Sequence, residues 1–158
     1  MRSPNEIMNY VASNYTHFLD VLKPGFLKKA PYGNTTYYGT MAFGYGANAC
    51  SQELFLNENV IYAFTGLFKG YLGSDYVTAM FCFTDRGRII AGYEKTIKSD
   101  SYQLYSHSAD DIKWNDFVDG TSEIVVGNIA TCTIRLNNRS QAKKVIDRLL
   151  FVIKKYAK

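Results

Sequence analysis

From Asn59 onward the chain repeats one pattern, short alternating apolar and polar segments parted by turn signals, and then ends on a long helical stripe. Period two fits strands buried on one face, and period 3.6 fits a helix lying on a core. Val60–Phe68 reads as the first strand and stops at Lys69-Gly70. Tyr76–Thr84 alternates with Val77, Ala79, Phe81 and Phe83 on one side, Asp85-Arg86-Gly87 is a short turn, and Arg88–Tyr93 returns. Ser101–Ser106 and Asp111–Val118 follow, the latter with Ile112 and Trp114 on one face. Glu123–Val126 and Ile129–Leu136 flank Gly127-Asn128, read as a two-residue hairpin loop able to take positive φ. Asn138–Tyr156 is the helix: Asn138 caps it, and Ala142, Val145, Ile146, Leu149, Ile153 and Tyr156 form its apolar stripe. Burying five or six such side chains contributes about 1.5–3 kcal/mol each before entropy costs, so this helix is expected to be part of the core. The fold class is therefore mainly β, with α+β content.

The first 56 residues read differently, and the expected division is an extension, 1–56, followed by the β domain, 57–158. Ser3-Pro4-Asn5-Glu6 is a helix start, with Ser3 as cap, Pro4 at the first helical position and Glu6 three residues after the cap. Ile7, Tyr10, Val11, Phe18 and Leu22 continue at helical spacing until Lys23-Pro24-Gly25. Gly39, Gly44 and Gly46 then punctuate a Tyr- and Phe-rich run, which reads as a short hairpin or aromatic loop over 36–45. Ser51-Gln52-Glu53-Leu54 reads as a single helical turn.

Composition supports a folded β-rich chain: 47% of residues are apolar, 20% charged and 15% aromatic, and aromatics favour half-buried strands. No apolar run reaches the roughly 18 residues that span a bilayer, and no basic segment precedes an apolar one near the N-terminus, so no signal peptide is expected. Three widely spaced cysteines (Cys50, Cys82, Cys132) argue against a disulfide framework and for a reducing, cytoplasmic setting. Residues 139–158 hold seven Lys/Arg against Asp147 alone, while the rest of the chain holds eleven basic and thirteen acidic residues. The excess positive charge thus belongs to one terminal element.

Several segments resemble a known group. Leu56-Asn57-Glu58-Asn59-Val60 looks like a leader into a first strand, Phe83-Thr84-Asp85-Arg86-Gly87-Arg88-Ile89-Ile90 like a strand–turn–strand around a Thr and a basic turn, and Asp111-Ile112-Lys113-Trp114 like the start of a fifth strand. With the terminal helix, these resemble the bacterial pleckstrin-homology-like (PH-like) domains over about residues 54–156. The resemblance implies a barrel of seven bent antiparallel strands closed by the last helix, and a non-enzymatic binding or assembly module that is often oligomeric. It carries nothing to the first fifty residues.

No arrangement of residues carries a catalytic, cofactor or metal signature, and none of these groups is expected. Lys69, Arg86 and Arg88 are candidate anion or lipid contacts, although such a site needs several cations converging on one pocket. The plain reading is a solvated turn. Lys143, Lys144, Arg148, Lys154 and Lys155 form a candidate basic surface, without the interleaved aromatics of a single-strand nucleic-acid platform, so no nucleic-acid partner is expected. Gly44-Tyr45-Gly46-Ala47-Asn48 lacks the context of a phosphate loop; its sharper reading is a segment docked on a sheet edge or a neighbouring subunit. The leading expectation is a binding or assembly module of unknown ligand, acting through protein contacts or self-association, as a homo-oligomer through the N-terminal extension. The alternatives are peripheral binding to anionic membrane through the basic helix face or the Arg86/Arg88 turn, and, remotely, a hydrolase-type enzyme using His107 with Asp110 or Asp111.

Overall fold

The computed structural model describes residues 1–14, 40–70, 76–127, 132–136 and 139–158, with the side chains of 40–43 and 132 left aside. Helix α1 spans Pro4–Asn14 and α2 Thr40–Glu53. The strands are β1 (Val60–Lys69), β2 (Val77–Thr84), β3 (Arg88–Tyr93), β4 (Lys98–Gln103), β5 (Ile112–Asp116), β6 (Ser122–Val126) and β7 (Cys132–Leu136). Helix α3 covers Arg139–Tyr156, and a 3-10 turn, Ser106–Asp111, joins β4 to β5. The seven strands form one antiparallel sheet ordered β4-β3-β2-β1-β7-β6-β5. Strand β1 pairs with β2 along almost its whole length but with β7 only over Leu67–Lys69, so its far end joins the two halves. This order, with a helix after the last strand, is the PH-like arrangement that the resemblance implies.

Alternation accounts for the inner face. Phe64 and Phe81 are register partners and their rings stack at 5.0 Å, while Phe83 meets Phe64 edge-on at 5.5 Å. Offset and edge-on pairs such as these add to the gain from area buried. Every residue of β2 from Ala79 to Thr84 is buried, however, so β2 has two covered faces. The second cover is α2, which packs on β2, β3 and β4, with α1 against it and against β1. Ile7, Val11, Ala47 and Cys50 accordingly share one core cluster with Phe64, Met80, Ile90, Val145 and Leu149. The amphipathic N-terminal helix finds its partner within its own chain.

Three expectations change. The run read as a hairpin or aromatic loop over 36–45 is helical from Thr40, and Ser51–Glu53 is the last turn of that helix; residues 36–39 lie outside the described residues. Of the glycines that looked like turn punctuation, Gly46 is a contact point. A Cβ on Gly46 would stand 2.6 Å from the Gly92 carbonyl oxygen, and one on Gly92 would collide with that of Gly46. Helix backbone meets strand backbone, which offsets the poor helix propensity of glycine. The segment docks on the face of the sheet instead of its edge. Secondly, Val126 pairs with Cys132, so residues 127–131 lie between the strands, more than the two-residue loop expected; Asn128 and 129–131 lie outside the described residues. Thirdly, the fourth strand sits earlier, at Lys98–Gln103, because it pairs with β3 through a turn at 94–97.

Other signals hold. Ser3 and Glu6 form a reciprocal cap: the Glu6 amide donates to Ser3 Oγ at 3.2 Å and the Ser3 amide to Glu6 Oε2 at 2.9 Å. Donation from the Ser3 and Arg2 amides, with a bond from the Ser3 side chain, lowers the Glu6 carboxyl to about 2. Gly87 takes φ +70° at the β2–β3 turn, against the backbone of Tyr156. The stripe of α3 is buried from Ala142 to Ile153 with Gln141 and Val152 added; its expected cap, Asn138, and the α1 continuation through Phe18 and Leu22 lie outside the described residues.

The glycine contact predicts opposite effects for a glycine of β3 and one of α2. Gly92→Ala must push α2 off the sheet and is expected to cost about 1–3 kcal/mol or more in urea unfolding. Gly44, whose added Cβ would meet nothing within 4 Å, is expected to gain roughly 0.5–1 kcal/mol as Ala.

Candidate functional site

The side chains singled out in the sequence go to separate places. Lys69 closes β1, its ammonium 5.7 Å from the Tyr76 ring, at the start of β2; Arg86 and Arg88 follow the other end of β2. The three therefore do not converge on one pocket. Arg86 is exposed, donates to the Leu56 carbonyl at 2.8 Å and lies over the Phe55 ring. Arg88 is buried. Its Nε and Nη2 donate to the two Glu58 carboxylate oxygens at 2.8 and 2.6 Å, Nη1 donates to Ser101 Oγ at 2.6 Å, and Nη2 also reaches the Glu53 carbonyl at 3.0 Å. Glu58 is fully buried and further accepts from Thr84 Oγ1 at 2.7 Å and the Phe55 amide at 2.9 Å. A forked, fully hydrogen-bonded pair of this kind satisfies the conditions under which a buried ion pair persists. The Thr and basic turn of the sequence resemblance thus serve a structural clamp joining the 54–58 segment, β2, β3, β4 and α2.

Burial opposes the Glu58 charge, but Arg88, the Phe55 amide and the Thr84 hydroxyl outweigh it and hold the carboxyl below its ordinary value of 4.5. His107 and Asp110 are exposed on the 3-10 turn, where His107 stacks on Tyr105 with ring centroids 5.6 Å apart. The Asp111 carbonyl accepts from the Gly127 amide at 3.2 Å. Among the described residues no group of three His, Cys, Asp or Glu side chains is placed to hold a metal.

The basic residues of α3 do come together. Lys143, Lys144, Arg148, Lys154 and Lys155 are exposed on the face opposite the buried stripe, and Phe151 stands among them, 44% exposed. Residues three and four apart share a helix face, so Lys144, Asp147, Arg148, Phe151, Lys154 and Lys155 are neighbours. The Lys155 ammonium lies 5.6 Å from the Phe151 ring. One end of this face borders a cleft of about 310 Å³ lined by Tyr10 and Asn14 of α1, Tyr62 of β1, and Lys144, Asp147 and Arg148. The Arg148 guanidinium lies 5.7 Å from the Tyr62 ring, which Tyr10 meets edge-on at 6.4 Å. The position of Phe151 is readable from helical spacing; the cleft is not, because it exists only where α1, β1 and α3 converge.

At the far edge of the sheet, β5 is exposed from Lys113 to Asp116, with Trp114 54% exposed. No helix among the described residues is long and apolar enough to cross a membrane.

No protein-family model matches the chain, and neither does any curated protein sequence. A solved structure titled the apo structure of the activated truncation of Vav1 is similar in backbone, with a TM-score of 0.41 and 10% identity over 95% of this chain and 33% of that one. This chain thus spans about a third of that chain's length. The strand order and the closing helix define the class as a PH-like fold.

The clamp makes a prediction with a pH signature. Arg88→Met leaves a buried carboxylate without its cation and is expected to cost about 3–5 kcal/mol in urea unfolding at pH 7. Because the folded-state value of Glu58 is depressed, its stabilisation is present above about pH 4.5 and is lost as pH falls through the folded value. The gap between wild type and variant should therefore narrow below that pH.

Proposed function

We propose that this chain is a non-enzymatic, cytoplasmic binding module of PH-like fold that docks the outer face of α3 on an anionic lipid surface. One observation carries the reading: Phe151 is exposed in the middle of a lysine- and arginine-rich helix face. A helix lying on a membrane combines these features, an apolar side chain entering the headgroup boundary and cations drawn to anionic lipid. The cleft beside Lys144 and Arg148 is of a size to take a headgroup phosphate, with Asn14 and Tyr10 on its far wall. The Arg86/Arg88 turn contributes less, since Arg88 is spent on Glu58. His107 faces Tyr105, which gives the hydrolase alternative no support. The resemblance to bacterial PH-like domains agrees with a binding role and names no ligand.

The experiment is sedimentation with vesicles of phosphatidylcholine, with and without phosphatidylserine, at low and high salt. Binding is expected only with the anionic lipid and should weaken with salt. At about 1 kcal/mol per cation near the surface, Lys154→Ala with Lys155→Ala should lower partitioning about 30-fold, and Phe151→Ser should weaken it without changing the salt slope. Absence of salt-sensitive binding at low salt would falsify the reading.

A second reading, self-association, rests on the open β5 edge. A strand at an edge presents unpaired backbone groups to another strand. An antiparallel pair centred on Trp114 would set Lys113 opposite Asn115 and Ile112 opposite Asp116 of a second copy, so no like charges meet. Light scattering on the eluting full chain should then give twice the 17.9 kDa mass, reverting to the monomer with Trp114→Glu. A wild-type monomer up to the solubility limit rules out this contact.

A further inference from the structure

Two of the three cysteines meet where α2 docks on the sheet. Cys50 is in the last turn of α2 and Cys82 in the middle of β2, and both are fully buried and free. Met80 and Cys82 share the face of β2 that α2 covers; Cys82 is the register partner of Ile90, and Met80 that of Gly92. Cys50 Sγ rests on this square of backbone, 3.4 Å from the Met80 carbonyl oxygen and 3.8 Å from that of Ile90. A Cβ on Gly92 would stand 2.7 Å from the same sulfur. Cys82, two residues from Met80 on the same strand face and paired with Ile90, is buried under the same turn of α2.

A helix packed on a sheet through ordinary side chains holds its backbone too far away for a disulfide, which needs Cα atoms within about 7 Å and sulfurs about 2.05 Å apart. The Gly46–Gly92 contact removes that spacing. It brings the last turns of α2 down until a cysteine sulfur touches strand carbonyls, with the second thiol beside it. We propose that Cys50 and Cys82 are a redox-active dithiol which a small disulfide oxidant converts to an internal cross-link, fastening α2 to β2.

The chemistry is thiol–disulfide exchange. The Cys50 thiolate attacks one sulfur of oxidised glutathione, forming a mixed disulfide and releasing one glutathione thiolate. The Cys82 thiolate then attacks Cys50 Sγ, closing the Cys50–Cys82 bond and releasing the second. The two cysteine protons end on the two glutathione thiols, and the oxidant takes both electrons. The neighbouring Cys50 and burial raise the Cys82 thiol well above its ordinary value, and both sulfurs are shut off from solvent, so attack on the folded protein must await opening of the terminal turn of α2.

Refolding the reduced full chain into buffers of graded reduced-to-oxidised glutathione ratio removes access as an obstacle. Alkylation with N-ethylmaleimide under denaturing conditions, followed by peptide mapping, then counts the thiols. In the oxidising buffers alkylation is expected to fall to Cys132 alone, with the Cys50 and Cys82 peptides joined and the joined species reverting in the reducing buffers. Cys50→Ser should abolish that species. Three alkylated cysteines at every ratio, a glutathione adduct on Cys50 that never resolves, or a bridge through Cys132 would each overturn the proposal.

Discussion

The contact between Gly46 and Gly92 sets the spacing of everything on the outer side of the sheet. Because neither residue carries a side chain, α2 approaches β3 backbone to backbone, and Met80, Cys82 and Ile90 lose their solvent. A sheet half-covered by its own curl thereby becomes covered on both faces over β2 and β3. A wider separation would leave voids above Met80 and Cys82, whose linings lose their dispersion partners. The two thiols also meet only because of this approach, so the packing of the domain and the chemistry of Cys50 with Cys82 share one geometric cause.

Next to this contact, the Glu58–Arg88 pair closes the end of the layer. Taking two charges out of water costs several kcal/mol per ion, and hydrophobic residues of similar volume often do as well for stability. The pair here reaches further than stability. Arg88 addresses Ser101 on β4 and the Glu53 carbonyl at the end of α2, while Glu58 gathers Thr84 and the Phe55 amide. The Arg2 guanidinium in turn donates to the Glu58 carbonyl, and the Val60 amide donates to the Met1 carbonyl. Few alternative packings of the 54–58 segment would satisfy so many directed bonds, which favours a single arrangement of the N-terminal helices on the sheet.

These features mark how far the sequence could be read. The number and order of the strands and α3 were legible because their periodicity is local: Arg88–Tyr93 needs only its own alternation and the Asp85-Arg86-Gly87 turn. The bounds of β4 and β7, by contrast, depend on their pairing partners. Helix α2 was not. Its glycines and aromatics carry a turn composition, and what makes it a helix is a partner, Gly92, far along the chain. Tertiary contact overrode propensity there. Arg88 was misplaced for a related reason, since an arginine beside a turn reads as solvated until a buried carboxylate thirty residues earlier is brought against it. The cleft required α1, β1 and α3 to converge, a juxtaposition that no local pattern encodes.

Helix α3 reconciles the two demands on the C-terminal segment. Its buried stripe, Ala142, Val145, Ile146, Leu149, Val152 and Ile153, takes up the side that faces the sheet and leaves the remainder free of packing requirements. Cations on that remainder cost the fold little, because exposed charges are well solvated. Phe151 is harder to account for in the same way. An apolar ring left nearly half exposed contributes little to the core, and a polar residue at that position would serve solubility better. Its place among Lys144, Lys154 and Lys155 makes sense where the face meets a surface that is apolar beneath and anionic on top. The buried half of α3 therefore explains why the helix is there, and the exposed half, with Phe151, is the part that the proposed lipid docking would use.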